Sequence, residues 1–128
     1  MRLILVLGDQ LSDDLSALRL ADKSHDVVVM AEVMAEATAV PHHPQKIALV
    51  LTAMRKFAAH LRGQGFTVAY SRLDDPDTGP SLPSELLRRM AETGADQIIA
   101  TAPGDWRLLA ALQDAPLPLR LIPDDRFV

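Results

Sequence analysis

Three hydrogen-bonding side chains come shortly after the first apolar run of the chain. Residues 3–7 are apolar throughout, Gly8 ends the run, and Asp9, Gln10 and Ser12 come next. A carboxylate and a carboxamide at this point can hydrogen bond to the polar edge of a small molecule. SDDL is typical of a helix start with Ser12 or Asp13 as the N-cap, and capping explains Ser12 well. Asp9 and Gln10 precede that cap, and we therefore expect them to contact a ligand.

A second set of candidate side chains follows the second apolar run, residues 27–31. Glu32 and Glu36 are four residues apart, so they would share one face of a helical turn. Paired carboxylates can take part in acid–base chemistry or accept hydrogen bonds from hydroxyl and imide groups. A solvated surface position explains Glu36 well, whereas Glu32 stands at the end of a strand, where contact with a ligand is favoured.

The remaining candidate residues do not form a reactive site. His42 and His43 are adjacent on an extended segment, where neighbouring side chains point apart, so they make a poor metal pair. Contact with the edge of a ligand or packing at a helix start is favoured for them over metal binding. Gly8 alone satisfies neither the GxGxxG nor the GxxxxGK[ST] motif, and a tight turn explains it as well as a ligand does. Asp105 is interpreted as a helix N-cap and Trp106 as a packing residue. The sequence shows no Ser-His-Asp order and no nucleophile elbow.

The elements that must position these residues alternate regularly along the chain. Apolar runs of strand length occupy residues 3–7, 27–31, 66–70, 97–101 and 119–122. Helices are predicted between residues 13 and 20, from about residue 44 to the glycines at 63 and 65, from SLPSE at 81–85 to residue 94, and from about residue 105 to before the proline at 116. Runs that are apolar on both alternations are typical of strands buried on both faces of a parallel sheet.

This alternation predicts a doubly wound, Rossmann-like α/β fold with a mainly parallel five-stranded sheet in the order 3-2-1-4-5. Such sheets bind ligands beyond the carboxyl ends of their strands, where the winding direction reverses. The first strand normally flanks that point. Gly8, Asp9 and Gln10 are therefore expected at a binding crevice.

Size and composition exclude several classes of protein. A chain of 128 residues with 48% hydrophobic residues suits one folded domain. The net charge of -4 is opposite to that of a nucleic-acid-binding surface. Cysteine is absent, so these residues carry no disulfide and no iron–sulfur cluster, which fits a cytoplasmic protein. The amino-terminal apolar run is too short for a membrane span.

Four segments, in this order and spacing, resemble the amino-terminal domain of the photolyase-related branch of the cryptochrome/photolyase family, the bacterial proteins that carry an iron–sulfur cluster. The segments are LILVLGDQLS, VVVMAEVMAEA, HHPQKIALVLTAMRKFAAHLRGQGFTVAYSRLDD and APGDWRLLAAL, which together span nearly the whole chain. The resemblance implies that residues 1–128 form a single α/β domain and a fragment of a longer chain.

The resemblance also implies a function for this domain. In that branch it holds an antenna chromophore, 6,7-dimethyl-8-ribityllumazine, while a carboxy-terminal helical domain binds FAD, the iron–sulfur cluster and DNA. The fragment would then catalyse nothing by itself and contact neither nucleic acid nor a membrane. Its partners would be the chromophore and the helical domain, within a parent that repairs DNA with light or senses blue light.

Seven positions match the pocket of that family. They are Gly8, Asp9, Gln10 and Leu11 after the first strand, with Glu32, Val33 and Glu36 opposite. Val40 departs from the pattern, because relatives often carry an aromatic residue there.

Two other functions stay open. The chain would be an independent small-molecule or nucleotide-binding module without photochemistry, or a structural α/β domain that docks on another domain. A source gene that continues past Val128 into a long helical region with several cysteines would favour the antenna domain.

Overall fold

The computed structural model of the chain describes residues 1–33 and 44–124 and, for residues 44–46, the backbone alone. The strands are β1 (Arg2–Leu5), β2 (Val27–Ala31), β3 (Thr67–Ser71), β4 (Gln97–Thr101) and β5 (Leu119–Ile122). The helices of the described residues are α1 (Ser16–Leu20), α2 (Pro44–Gly63), α3 (Leu82–Thr93) and α4 (Trp106–Asp114). All strand pairs are parallel, and the sheet order is β3-β2-β1-β4-β5. The predicted fold class, strand direction and strand order are confirmed.

Both faces of the sheet are covered, which is why its strands are apolar on both alternations. On one face Ile4 packs in a cluster with residues of α1 and α2. On the other face Leu3 and Leu5 pack with residues of α3 and α4. The side chains of Leu3, Ile4 and Leu5 are all fully buried. Because β1 is the central strand, its carboxyl end lies between the helices that cover the two faces of the sheet.

Local chemistry fixes the ends of the later helices. Ser81 and Ser84 form a reciprocal capping box at the start of α3, and Gly94 ends that helix in the left-handed region at φ 73°. The side chain of Asp105 accepts a hydrogen bond from the amide of Arg107 at the start of α4. The predicted cap at Asp105 is confirmed.

The start of α1 differs from the sequence prediction. The helix begins at Ser16, and its N-cap position, Leu15, makes no side-chain capping bond. Ser12 instead accepts a hydrogen bond from the amide of Asp14 at 3.2 Å, within the turn that precedes the helix. The prediction that Ser12 or Asp13 caps the helix is therefore wrong. A serine can satisfy a nearby turn amide just as well as a helical one, and the carboxylate of Asp13 forms a hydrogen bond with His60 at 2.9 Å instead.

Several predicted positions lie outside the described residues. They are Glu36, Val40, His42 and His43. Among the helices that the structure does describe, none has the length and hydropathy to cross a membrane. Within residues 1–33 and 44–124, no three histidine or acidic side chains lie close enough together to hold a metal ion.

Candidate ligand-binding cleft

A cleft of about 270 Å³ opens at the carboxyl edge of the sheet. Its described walls come from the ends of β1, β2 and β4, from the amino-terminal half of α2, and from the starts of α3 and α4. The lining residues are Val6, Leu7, Gly8, Asp9, Ala31, Glu32, Val33, Ile47, Val50, Leu51, Met54, Leu73, Leu82, Pro103, Asp105 and Leu108. The location is the crevice expected for a doubly wound sheet.

Helix α2 supplies an apolar wall of the cleft. The sequence predicts one continuous apolar stripe along this helix, and its later part does pack on the sheet, where Met54, Ala58 and Leu61 are buried. Earlier in the stripe Val50 is 46% exposed. Like Leu51, it lines the cleft. The carboxy-terminal part of the stripe therefore packs in the core, and its amino-terminal part lines the cleft.

Gly8 has no Cβ atom and therefore leaves space for side chains of α2. A Cβ atom at this position would lie 3.3 Å from the Sδ of Met54 and 3.4 Å from the Cγ1 of Val50. The left-handed backbone region is occupied by Gly65 and Gly94 and not by Gly8. The missing Cβ atom thus favours the close approach of α2 to the end of β1 rather than an unusual turn.

Asp9 lies at the cleft as predicted. It is exposed, and its carboxylate makes no hydrogen bond or ion pair with the residues that the structure describes. Its acceptor capacity is therefore available to a bound molecule.

Gln10 and Leu11 are not among the residues that line the cleft. Gln10 is 1% exposed, and its side-chain oxygen accepts a hydrogen bond from the amide of Leu7 at 3.3 Å. Its side-chain nitrogen donates to the carbonyl of Thr101 at 3.1 Å. Gln10 thus joins the ends of β1 and β4. Leu11 packs against the core cluster on the α1 and α2 face.

Glu32 is the centre of a buried hydrogen-bond network. Arg55 donates to its two oxygens at 2.7 Å and 2.8 Å, and the amide of Leu73 donates at 3.0 Å. The hydroxyl of Tyr70 donates to it as well. The carboxylate itself is fully buried, whereas the Arg55 side chain is 41% exposed. The network joins β2, α2, β3 and the segment after β3.

The electrostatics of this network keep Glu32 ionised. Burial by itself raises the pKa of Glu32, but hydrogen bonds from Arg55, Leu73 and Tyr70 outweigh burial and lower the pKa. Burial and the bond to Glu32 raise the pKa of Tyr70. Since donors occupy both oxygens of Glu32, it has little capacity to bind a ligand directly, and it contributes to the cleft by positioning α2.

Sequence reasoning missed Arg55 and Tyr70, because the first stands beside the apolar stripe of α2 and the second inside an apolar run. A glutamate at the buried end of a strand is the signal that could have found them, since such a carboxylate requires a cation or several donors. Val33, predicted from the resemblance, lies in the cleft wall and is buried.

Comparisons with known proteins identify the family of the chain. The family described as deoxyribodipyrimidine photo-lyase-related protein has a model that matches residues 4–128. The chain belongs to this family. The chain is also 47% identical, over 107 residues, to a (6-4) photolyase of Agrobacterium fabrum (strain C58 / ATCC 33970). That match covers 84% of the chain and 21% of the relative, so this photolyase-related chain spans about a fifth of the length of the curated relative.

Acid should destabilise this photolyase-related chain through three buried carboxylates. Burial raises the pKa of Asp26, Glu32 and Glu85, but hydrogen bonds from arginine side chains and backbone amides outweigh it and lower each pKa. A lowered folded-state pKa means that stability is fully present above the unfolded pKa, about 4, and is lost as pH falls through the folded value. We expect the urea midpoint to be constant from pH 7 to about 5 and to fall steeply below about 4. A midpoint as high at pH 3 as at pH 6 would refute this.

Proposed function

We propose that this chain is the antenna-chromophore-binding domain of a photolyase-related flavoprotein, and that its cleft holds 6,7-dimethyl-8-ribityllumazine. The observation that carries the proposal is the apolar wall formed by Val50, Leu51 and Met54 beside the exposed carboxylate of Asp9. Membership in the photolyase-related family and the similarity to a (6-4) photolyase support it.

The same proposal covers the whole protein. Residues 1–128 would form one α/β domain, and FAD and the iron–sulfur cluster would be bound by a carboxy-terminal helical part. The complete protein would repair DNA with light or act as a blue-light sensor of the bacterial cryptochrome type, in the cytoplasm. The chain described here would collect light and catalyse no reaction itself.

The size of the cleft favours a bicyclic ring over a dinucleotide. Small-molecule sites commonly have volumes of about 300–1,000 Å³. At about 270 Å³ the cleft lies near the lower limit of that range, so the proposed ligand is small. A lumazine ring with a ribityl chain that reaches the open side fits this limit better than FAD does.

An antenna requires a fixed orientation and exclusion of water rather than proton chemistry. In our proposal the apolar side chains of α2 contact the ring, and Asp9 accepts hydrogen bonds from hydroxyl or imide groups. Gly8 lets α2 lie close to the end of β1, which brings these apolar side chains beside the ring. Glu32 holds α2 in place through Arg55 and does not itself contact the chromophore, which refines the direct contact expected from the sequence.

Titration of the ¹⁵N-labelled chain with 6,7-dimethyl-8-ribityllumazine tests this function. We expect saturable amide shifts at Gly8, Asp9 and Val33, with a dissociation constant of about 10 µM or tighter, as for a small ligand held by apolar contacts and a few hydrogen bonds. Gly65 and Gly94 precede β3 and β4 at the opposite edge of the sheet and should not shift. The proposal would be overturned if only the amides of those two glycines shifted, or if no amide shift saturated as the lumazine is added.

A further inference from the structure

We propose that the cleft selects an uncharged ribityl heterocycle over its 5′-phosphate ester, and that Asp9 is the residue that sets this preference. The inference rests on the proposed function, because it concerns the ligand class of the same site. It goes further by assigning the discrimination between two forms of one ligand to a single side chain.

The charges around the cleft are acidic. Three carboxylates line it, Asp9, Glu32 and Asp105, and no lysine, arginine or histidine is among its described lining residues. Two of the three have a cation beside them: Arg55 pairs with Glu32 at 2.7 Å, and Arg107 pairs with Asp105 at 3.2 Å. Asp9 has no such partner among the described residues, so it leaves the described lining with a net negative charge.

At two helix starts beside the cleft, those of α3 and α4, a side chain already accepts a hydrogen bond from a backbone amide. A helix start can bind an anion through free backbone amides. At α4, however, the carboxylate of Asp105 already accepts the amide hydrogen bond of Arg107 at 2.9 Å. At α3, the hydroxyl of Ser81 accepts the hydrogen bond from the amide of Ser84. The loop after β1 has one glycine, Gly8, and lacks the glycine-rich pattern that cradles phosphates.

The sequence between β2 and the described side chains of α2 does not change this balance. Residues 34–46 contain one acidic residue, Glu36, and one lysine, Lys46. Their formal charges cancel. Among the described lining residues Asp9 thus determines the sign of the charge, and we expect its carboxylate to repel a phosphate at the end of a ribityl chain.

The expected discrimination follows from repulsion between like charges. A phosphate monoester carries nearly two negative charges at neutral pH. Its repulsion by one carboxylate at a distance of several ångströms, near solvent, should weaken binding about tenfold at low salt and less at high salt. The ring and the ribityl chain are the same in both ligands, so the ratio of their dissociation constants isolates the phosphate.

The test measures fluorescence titrations of 6,7-dimethyl-8-ribityllumazine and its 5′-phosphate at low salt. Wild type should bind the uncharged ligand about tenfold more tightly than the ester. In Asp9→Asn this ratio should fall to about twofold, since the amide keeps the shape of the side chain and removes its charge. Asp14→Asn is the matched control: it removes a charge from the same loop away from the cleft lining and should leave the ratio at the wild-type value.

Three results would count against the inference. Equal or tighter binding of the ester by wild type would overturn it while leaving the proposed function intact. An equal change of the ratio in Asp9→Asn and Asp14→Asn would overturn the role of Asp9. Binding of neither ligand by the folded chain would overturn the proposed function, and this inference with it.

Discussion

Replacing Glu32 with alanine is expected to lower the free energy of unfolding by about 3 kcal/mol. Loss of one partner from a buried ion pair costs roughly 3–5 kcal/mol, mostly because the other partner is left unpaired. Here Arg55 is partly exposed and can regain water, whereas the Tyr70 hydroxyl and the Leu73 amide lose their acceptor. The estimate therefore lies at the lower end of that range. Urea unfolding followed by circular dichroism measures the change.

Glu92→Ala is the matched control for this prediction. Glu92 also pairs with two arginines, Arg88 at 3.2 Å and Arg89 at 2.9 Å, but its side chain is 46% exposed. Pairs at such positions contribute about 0–1 kcal/mol, so this variant should unfold close to wild type. If Glu32→Ala proved no more costly than Glu92→Ala, the Glu32 network would not hold the cleft together.

The fold could be predicted because its signals are local and repeated. Strands such as Val27–Ala31 are apolar on both alternations, which is a parallel-sheet pattern. Gly94 marks the end of α3 by its left-handed backbone. The strand order 3-2-1-4-5 is then one of the common orders of doubly wound sheets with right-handed crossovers. The start of α1 was mispredicted because a serine before an acidic pair is equally suited to a turn and to a helix cap.

The site could be predicted only in part, because side-chain direction after a strand depends on distant partners. Gly8, Asp9 and Glu32 were placed at the correct edge of the sheet by the rule for doubly wound folds. Gln10 turns away from the cleft lining because the carbonyl of Thr101, 91 residues away in sequence, takes its amide hydrogen bond. For the same reason the sequence did not predict that Arg55 and Tyr70 bind Glu32. The sequence did not distinguish the cleft residues Val50 and Leu51 from core residues, because periodicity identifies an apolar stripe but not what packs against it.

Val50→Trp is expected to weaken binding of 6,7-dimethyl-8-ribityllumazine by about a hundredfold or more. Val50 lines the cleft and is 46% exposed, so a larger side chain can be accommodated without disturbing the core. An indole there would occupy a large part of a cleft of about 270 Å³. A hundredfold loss corresponds to about 2.7 kcal/mol of binding free energy, which is a modest share of what burying a ring provides. Fluorescence titration measures it.

The comparison of Val50→Trp with Leu49→Trp is the measurement that tests the central claim most directly. Leu49 precedes Val50 on α2, is 69% exposed and does not line the cleft, so the two variants add similar bulk one residue apart. With both variants folded by circular dichroism, we expect Leu49→Trp to bind the lumazine like wild type and Val50→Trp to lose it. Equal affinities for the two variants, whether both retained or both lost, would contradict chromophore binding in this cleft.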